Sequence, residues 1–169
     1  FSGFLRWDDL SQLHADDVCF CDGYVALFLE KRKNDQFREG HWICIAQTHN
    51  NTCPVSLLRR FLRTSKSSGH VKLFRRIANF RDNLSLRCEP ISYTRAREKV
   101  LLLLSSIGLD SSKYGLHSLR AGGASAATAM GIPDRLIAHH GGWRSVQARE
   151  GYILESESSV LSVSRSLGL

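Results

Sequence analysis

Apolar and polar positions change their period several times along the chain, and each change predicts an element. Residues 1–14 read as the end of a helix, with Leu5, Leu10 and Leu13 as its apolar positions. From 17 to 46 the pattern is that of β structure. Val18 and Phe20 alternate with thiols, Asp22-Gly23 is a hairpin signal, and Tyr24 to Leu29 is a buried-strand run. The polar stretch Glu30 to Gly40 makes a second turn and His41 to Ala46 returns, so a three-stranded antiparallel sheet is expected. Asn50, Asn51 and Thr52 form a loop. Pro54 then opens a helix where a missing N–H costs nothing, with Val55, Leu58 and Leu62 as its apolar stripe. Residues 65–71 read as loop, and 72–91 fit neither period. Ser92 or Thr94 caps a helix that runs to Ile107 and ends at Gly108. From Leu116 onward the pattern predicts short helices, punctuated by Gly122-Gly123, Gly131-Ile132-Pro133 and Gly141-Gly142. The order of helix, small sheet and many helices is that of an α+β domain with a mostly helical body.

Composition narrows the class. A chain of 169 residues with 43% apolar and 23% charged positions suits one soluble domain spanning 1–169. No apolar run approaches the ~20 residues of a membrane span, and no signal segment opens the chain, so no membrane association is expected. The first residue is Phe1 rather than Met. The five cysteines are odd in number and include no C-x-x-C pair. They read as reduced thiols of an intracellular protein. No His/Cys pair has the spacing of zinc ligands, so no metal site is expected.

Charge distribution says more than the net +7. Between Gly40 and Arg81 there is no Asp or Glu, while Arg59, Arg60, Arg63, Lys66, Lys72, Arg75, Arg76 and Arg81 are all basic. Such a segregated stretch is either a solvated basic face or a surface for a polyanion, of which nucleic acid is the commonest.

Three features of the last third bear on chemistry. In His117-Ser118-Leu119-Arg120, a His and an Arg three apart on a helix project from one side, which can offer a phosphate a proton donor and a planar cation. In His140-Gly141-Gly142-Trp143-Arg144-Ser145, the Trp is either a packing anchor or an indole N–H donor held on a ligand. Tyr152 follows Trp143 by nine residues. Each feature alone has an ordinary structural reading.

Together, HSLRAGG, HGGWRS and GYI resemble, in order and spacing, the hallmark of the tyrosine recombinase (phage integrase) family. That hallmark is an H-x-x-R pair, then a His or Trp in a glycine-rich turn, then a tyrosine nucleophile. The segment Gly3-Phe4-Leu5-Arg6-Trp7-Asp8-Asp9-Leu10 is similar to the one holding the family's first catalytic arginine, here Arg6, with Asp9 as the acidic residue three positions on. The turn from Glu30 to Gln36 resembles the hairpin carrying the catalytic lysine, here Lys33, with Lys31 as the alternate. The resemblance covers nearly the whole chain, most weakly over 50–90. It departs from the family in having nothing that corresponds to the N-terminal core-binding domain, and in carrying Trp where His is commoner. The style of GLHSLRAGG and HHGGWRS is similar to recombinases of eukaryotic mobile elements.

The resemblance implies a mechanism. Arg6 and Arg120 would hold the non-bridging oxygens of a DNA phosphate, His117 and Trp143 would add N–H donors, and Tyr152 would attack phosphorus to give a 3′-phosphotyrosine. Lys33 would protonate the 5′ leaving oxygen. The covalent link conserves the phosphodiester, so neither a cofactor, ATP nor a metal is implied. Double-stranded DNA is the expected partner, with Arg59, Arg60, Arg63 and Lys66 on its phosphates. The family works as a tetramer on DNA. Residues 155–169, with Val160, Leu161, Val163 and Leu167 in partial helical period, either dock on a neighbouring subunit or pack on their own domain. Intracellular placement is expected, in the nucleus for a eukaryotic source and otherwise in the cytoplasm or nucleoid. Two rivals stay open: an inactive, domesticated DNA-binding module, and a type IB topoisomerase-like enzyme.

Overall fold

The computed structural model describes residues 1–31, 40–80 and 83–167. It divides into two compact units. Arg6–Leu116 holds all the strands among the described residues, and Phe1–Leu5 with His117–Leu169 is built of helices.

In the strand-bearing unit, a short helix α1 (Trp7–Gln12) precedes three strands, β1 (Val18–Cys21), β2 (Tyr24–Leu29) and β3 (His41–Ala46). They form the expected antiparallel sheet in the order β1-β2-β3. The register sets Phe20 against Val25 and Val18 against Leu27, then Val25 against Ile45 and Leu27 against Ile43. Because side chains alternate along a strand, this register puts Val25, Leu27, Leu29, Ile43 and Ile45 on one buried face. Cys19 and Cys44 lie on the other face and are exposed. Cys21 and Tyr24 close a two-residue turn in which Gly23 has φ +78°, a conformation that glycine adopts without strain.

Helix α2 (Pro54–Ser65) begins with Pro54 in its first turn and buries Val55, while Leu58 and Leu62 are half-buried. Its outer side carries Arg59, Arg60 and Arg63, all exposed, and Lys66 ends it in a left-handed conformation. The unassigned stretch 72–91 is a second antiparallel pair, β4 (Arg75–Phe80) with β5 (Asn83–Pro90). Helix α3 (Tyr93–Ser106) has the expected Ser92 cap, whose hydroxyl accepts the Arg95 N–H at 3.3 Å. No helix among the described residues is long and apolar enough to cross a membrane.

The helical unit contains α4 (Leu116–Ala129), α5 (Asp134–Gly141), α6 (Val146–Glu150) and α7 (Glu157–Arg165). Phe4, Ala124, Ile137 and Trp143 form its core cluster, with Ala127, Tyr152 and Ile153 packed against them. Two expectations need correction. The opening residues are not a continuous helix, since α1 starts only at Trp7. Phe4 takes φ +47°, a strained value for an aromatic residue, and its side chain is 7% exposed in the core cluster. Nor do Gly122 and Gly123 break the chain; they lie inside α4. A Cβ on Gly123 would come within 2.6 Å of the Phe1 carbonyl and 2.8 Å of the Phe4 ring, so close approach of that segment selects glycine there.

Candidate functional site

The helical unit gathers three of the singled-out side chains. Arg120 is fully buried on α4. Its Cζ sits 4.1 Å from the centre of the Trp143 ring and 4.9 Å from that of Tyr152, and those two rings are 5.4 Å apart. A guanidinium beside two aromatic rings gains cation–π attraction that strengthens as water is excluded. Arg120 also donates through Nη2 to the Gly141 carbonyl at 2.9 Å and through Nη1 to the Phe4 carbonyl. These acceptors offset the cost of taking a cation out of water. His117 lies one turn earlier on the same helix and is exposed.

The turn after α5 places Trp143. Gly142 ends the helix at φ 65°, ψ 37°, the left-handed cap that glycine favours, and the Trp143 N–H returns to the Ala138 carbonyl at 2.9 Å. Gly141 must be glycine for a different reason, because a Cβ there would run into the six-membered ring of Trp143. Gly141→Ala is therefore expected to destabilise the protein by about 1–3 kcal/mol, read by denaturant unfolding, with a shift in tryptophan emission as the indole is displaced. The indole Nε1 is buried and has no acceptor among the described residues. A donor in that condition suits an anionic ligand.

Tyr152 stands just after α6, whose first turn is capped by Ser145 accepting the Ala148 N–H at 3.2 Å. Two anchors hold this segment. Arg149, 7% exposed, pairs with Asp134 at the start of α5 at 2.8 Å, and its carbonyl accepts the Tyr152 N–H at 2.8 Å. Ser125 on α4 accepts the Leu154 N–H at 2.8 Å and donates to the Tyr152 carbonyl at 3.4 Å. His140 bonds the Ser2 carbonyl at 2.8 Å and meets the Phe4 ring edge-on at 4.8 Å. Sequence reasoning did not single out Phe4, Ser125 or Arg149 for these roles. Nothing local marks a serine inside a helix or an arginine near its end as an anchor.

Two other expected site residues are not among the described side chains of the helical unit. Arg6 belongs to the strand-bearing unit, where its N–H donates to the buried Asp9 carboxylate at 2.9 Å and starts α1. Asp9, expected to follow the first arginine, thus has a local structural task as an N-terminal capping partner. Lys33 lies outside the described residues, while its alternate Lys31 is exposed.

No protein-family model matches the chain, and no curated protein matches its sequence. Solved structures do. XerA recombinase aligns over 98% of this chain and 54% of its own, at TM-score 0.71 and 18% identity. XerH site-specific recombinase, bound to palindromic difH substrate in a post-cleavage complex, aligns over 97% of this chain and 42% of its own, at TM-score 0.70 and 18% identity. The Tn1549 transposon integrase, in complex with transposon right end DNA, aligns over 99% of this chain and 56% of its own, at TM-score 0.65 and 11% identity. The chain thus spans about half the length of these neighbours. Its fold is that of the tyrosine recombinase catalytic domain, α+β with a small three-stranded antiparallel sheet.

Proposed function

We propose that this chain is the catalytic domain of a site-specific DNA recombinase that cuts and rejoins strands through Tyr152. The observation that carries the reading is the cluster of Arg120, Trp143 and Tyr152, with rings and guanidinium 4.1–5.4 Å apart, on the fold of that enzyme class. Phosphoryl transfer spreads negative charge over the non-bridging oxygens in its transition state. Arg120 and Arg6 would carry that charge without changing protonation, each contact contributing about 2.7–4 kcal/mol. The Trp143 indole N–H and the His117 ring would add donors, with His117 also able to assist the tyrosine in losing its proton. The Tyr152 oxygen forms a bond to phosphorus as the bond to the 5′ oxygen breaks, and Lys33 protonates that leaving oxygen. An incoming 5′-hydroxyl reverses the step and releases the tyrosine, so the balance closes without ATP or a metal.

The partner in this reading is double-stranded DNA, met by the exposed Arg59, Arg60, Arg63 and Lys66 of α2 and its C-terminal turn. Each phosphate contact releases counterions and contributes about −0.9 to the slope of log affinity against log salt. Replacing Arg59, Arg60 and Arg63 together with alanine should therefore flatten the slope by about 2–3, measured by fluorescence anisotropy across a salt series. An unchanged slope would mean that these arginines face solvent and not phosphates. Strand exchange joins two duplexes, so the reading includes self-association on DNA. Helix α7 supports it, since Val160, Leu161 and Val163 are 40–68% exposed and available to a neighbouring subunit.

One observation favours a second reading, a DNA-binding module without strand transfer. Arg120 is fully buried, and its Nη1 and Nη2 already donate to the Phe4 and Gly141 carbonyls, so a phosphate must enter the protein interior to reach its remaining donors. Incubation with a nicked suicide substrate separates the two. A covalent protein–DNA band that resists denaturation supports the recombinase, and duplex binding with no such band supports the module.

A further inference from the structure

The strand-bearing unit holds a cluster of metal-binding side chains that the recombinase reading does not use. His14, Asp16 and His70 each offer a ligand atom, and these atoms lie within 4.8 Å of one another. The two chain segments are far apart in sequence, which is why ligand spacing gave no hint of them. Their meeting is fixed by backbone pairing. His14 bridges Lys72 in antiparallel fashion, the Ala15 N–H donates to the Val71 carbonyl at 2.9 Å, and the Leu73 N–H donates to the Leu13 carbonyl at 2.8 Å. Leu13 and Leu73 are both almost fully buried, so the pairing is anchored in the core of the unit.

We propose that His14, Asp16 and His70 bind a divalent transition-metal ion of the zinc class, with Asp17 orienting His14. Three features of the geometry carry the assignment. Asp16 Oδ2 lies 3.4 Å from His70 Nδ1, close to the ~3.3 Å between two ligand atoms set 2.0–2.1 Å from a tetrahedral ion. Asp17 Oδ2 lies 3.4 Å from His14 Nδ1 and accepts the His14 backbone N–H at 2.8 Å. A carboxylate beside Nδ1 would leave Nε2 as the ligand atom, the usual support behind a metal-bound imidazole. The two imidazole rings lie side by side, with centroids 3.9 Å apart and planes 16° from parallel, which puts both at the site; the exposed His70 ring would turn out of this stack to aim its lone pair at the same ion as His14. Two nitrogens and one carboxylate oxygen are the donor set of borderline-soft divalent ions, which leaves the remaining positions to water. The site is open to receive them, since the His70 and Asp16 side chains are 76% and 44% exposed. A bound ion would tie the loop after the basic helix α2 to the turn that precedes β1, and so hold the orientation of the helix end.

The test uses the whole chain, stripped with chelator and kept reduced by a non-thiol reductant. Cobalt(II) titration should give visible d–d absorption that saturates at one ion per chain and is displaced by zinc. Zinc at a hundredfold excess over its dissociation constant should raise the melting temperature by about 5 °C or more. His70→Ala and Asp16→Asn alter exposed side chains and should keep the metal-free melting temperature while weakening cobalt binding by about tenfold or more. Asp17→Asn should weaken it by about 10–100-fold. His49→Ala, at an exposed histidine outside the cluster, should change nothing. The proposal is overturned if the intact chain gives no saturable signal, or if binding persists unaltered in His70→Ala. Retention of intense thiolate-to-cobalt absorption in that variant would assign the metal to the cysteines instead.

Discussion

Tyr152→Phe should abolish the covalent band formed on a nicked suicide substrate, a loss of about 10⁴-fold or more, because the atom that bonds to phosphorus is removed. Little else should change. The phenyl ring keeps the packing against Trp143 and the face presented to Arg120, 5.4 and 4.9 Å away respectively. Folding stability should therefore move by no more than about 1 kcal/mol, the contribution of one hydroxyl. Duplex affinity should stay within about twofold, since the basic residues of α2 are unaltered. The result to look for is the separation of cleavage from binding. If Tyr152→Phe still forms the covalent product, the nucleophile is one of the remaining tyrosines, Tyr24, Tyr93 or Tyr114, and the catalytic assignment fails.

Arg120→Ala should damage both the fold and the chemistry. The side chain is fully enclosed, donates to the Phe4 and Gly141 carbonyls and lies 4.1 Å from the Trp143 ring. Its removal leaves two buried acceptors without these donors and a space beside the indole, for a loss of about 2–5 kcal/mol in denaturant unfolding. Cleavage, measured at a temperature where the variant remains folded, should fall by a further 10²–10³-fold or so as one phosphate contact disappears. Arg120→Lys resolves the two effects. Lysine keeps the charge but lacks the planar fork that reaches two carbonyls at once, so part of the stability returns while cleavage stays low. A destabilised but fully active Arg120→Ala protein would show that this arginine is a packing element of the helical unit and holds no phosphate.

The antiparallel pair of β4 and β5 shows why some elements were opaque. Ile77, Phe80 and Leu84 are 66–73% exposed, so neither strand has a buried face to impose a period of two. The strands of the three-stranded sheet do have such a face, and the alternation of Val18 and Phe20, the apolar run Tyr24 to Leu29 and the Asp22-Gly23 turn signal together predicted them. Pro54 at the start of α2 and Ser92 before α3 were equally plain, since capping chemistry acts within four residues. The candidate site divides in the same way. The H-x-x-R pair, the Gly-Gly-Trp turn and Tyr152 could be picked out because their order and spacing together resemble a family hallmark, each being ordinary by itself.

What the chain determined by itself is therefore whatever depends on near neighbours: the starts of α2 and α3, the three-stranded sheet with its Asp22-Gly23 turn, and the segregation of basic residues into 40–81. Tertiary packing decided the rest. It drew Phe4 into a left-handed conformation, set its carbonyl against Arg120, and made Gly123 and Gly141 obligatory for close approach rather than for turning. It also set Arg149 on Asp134 and brought His14 beside His70. The physical reason is range. Capping and periodicity act over a few residues, whereas burial of a cation or the meeting of two imidazoles depends on partners separated by much of the chain, which no local pattern encodes.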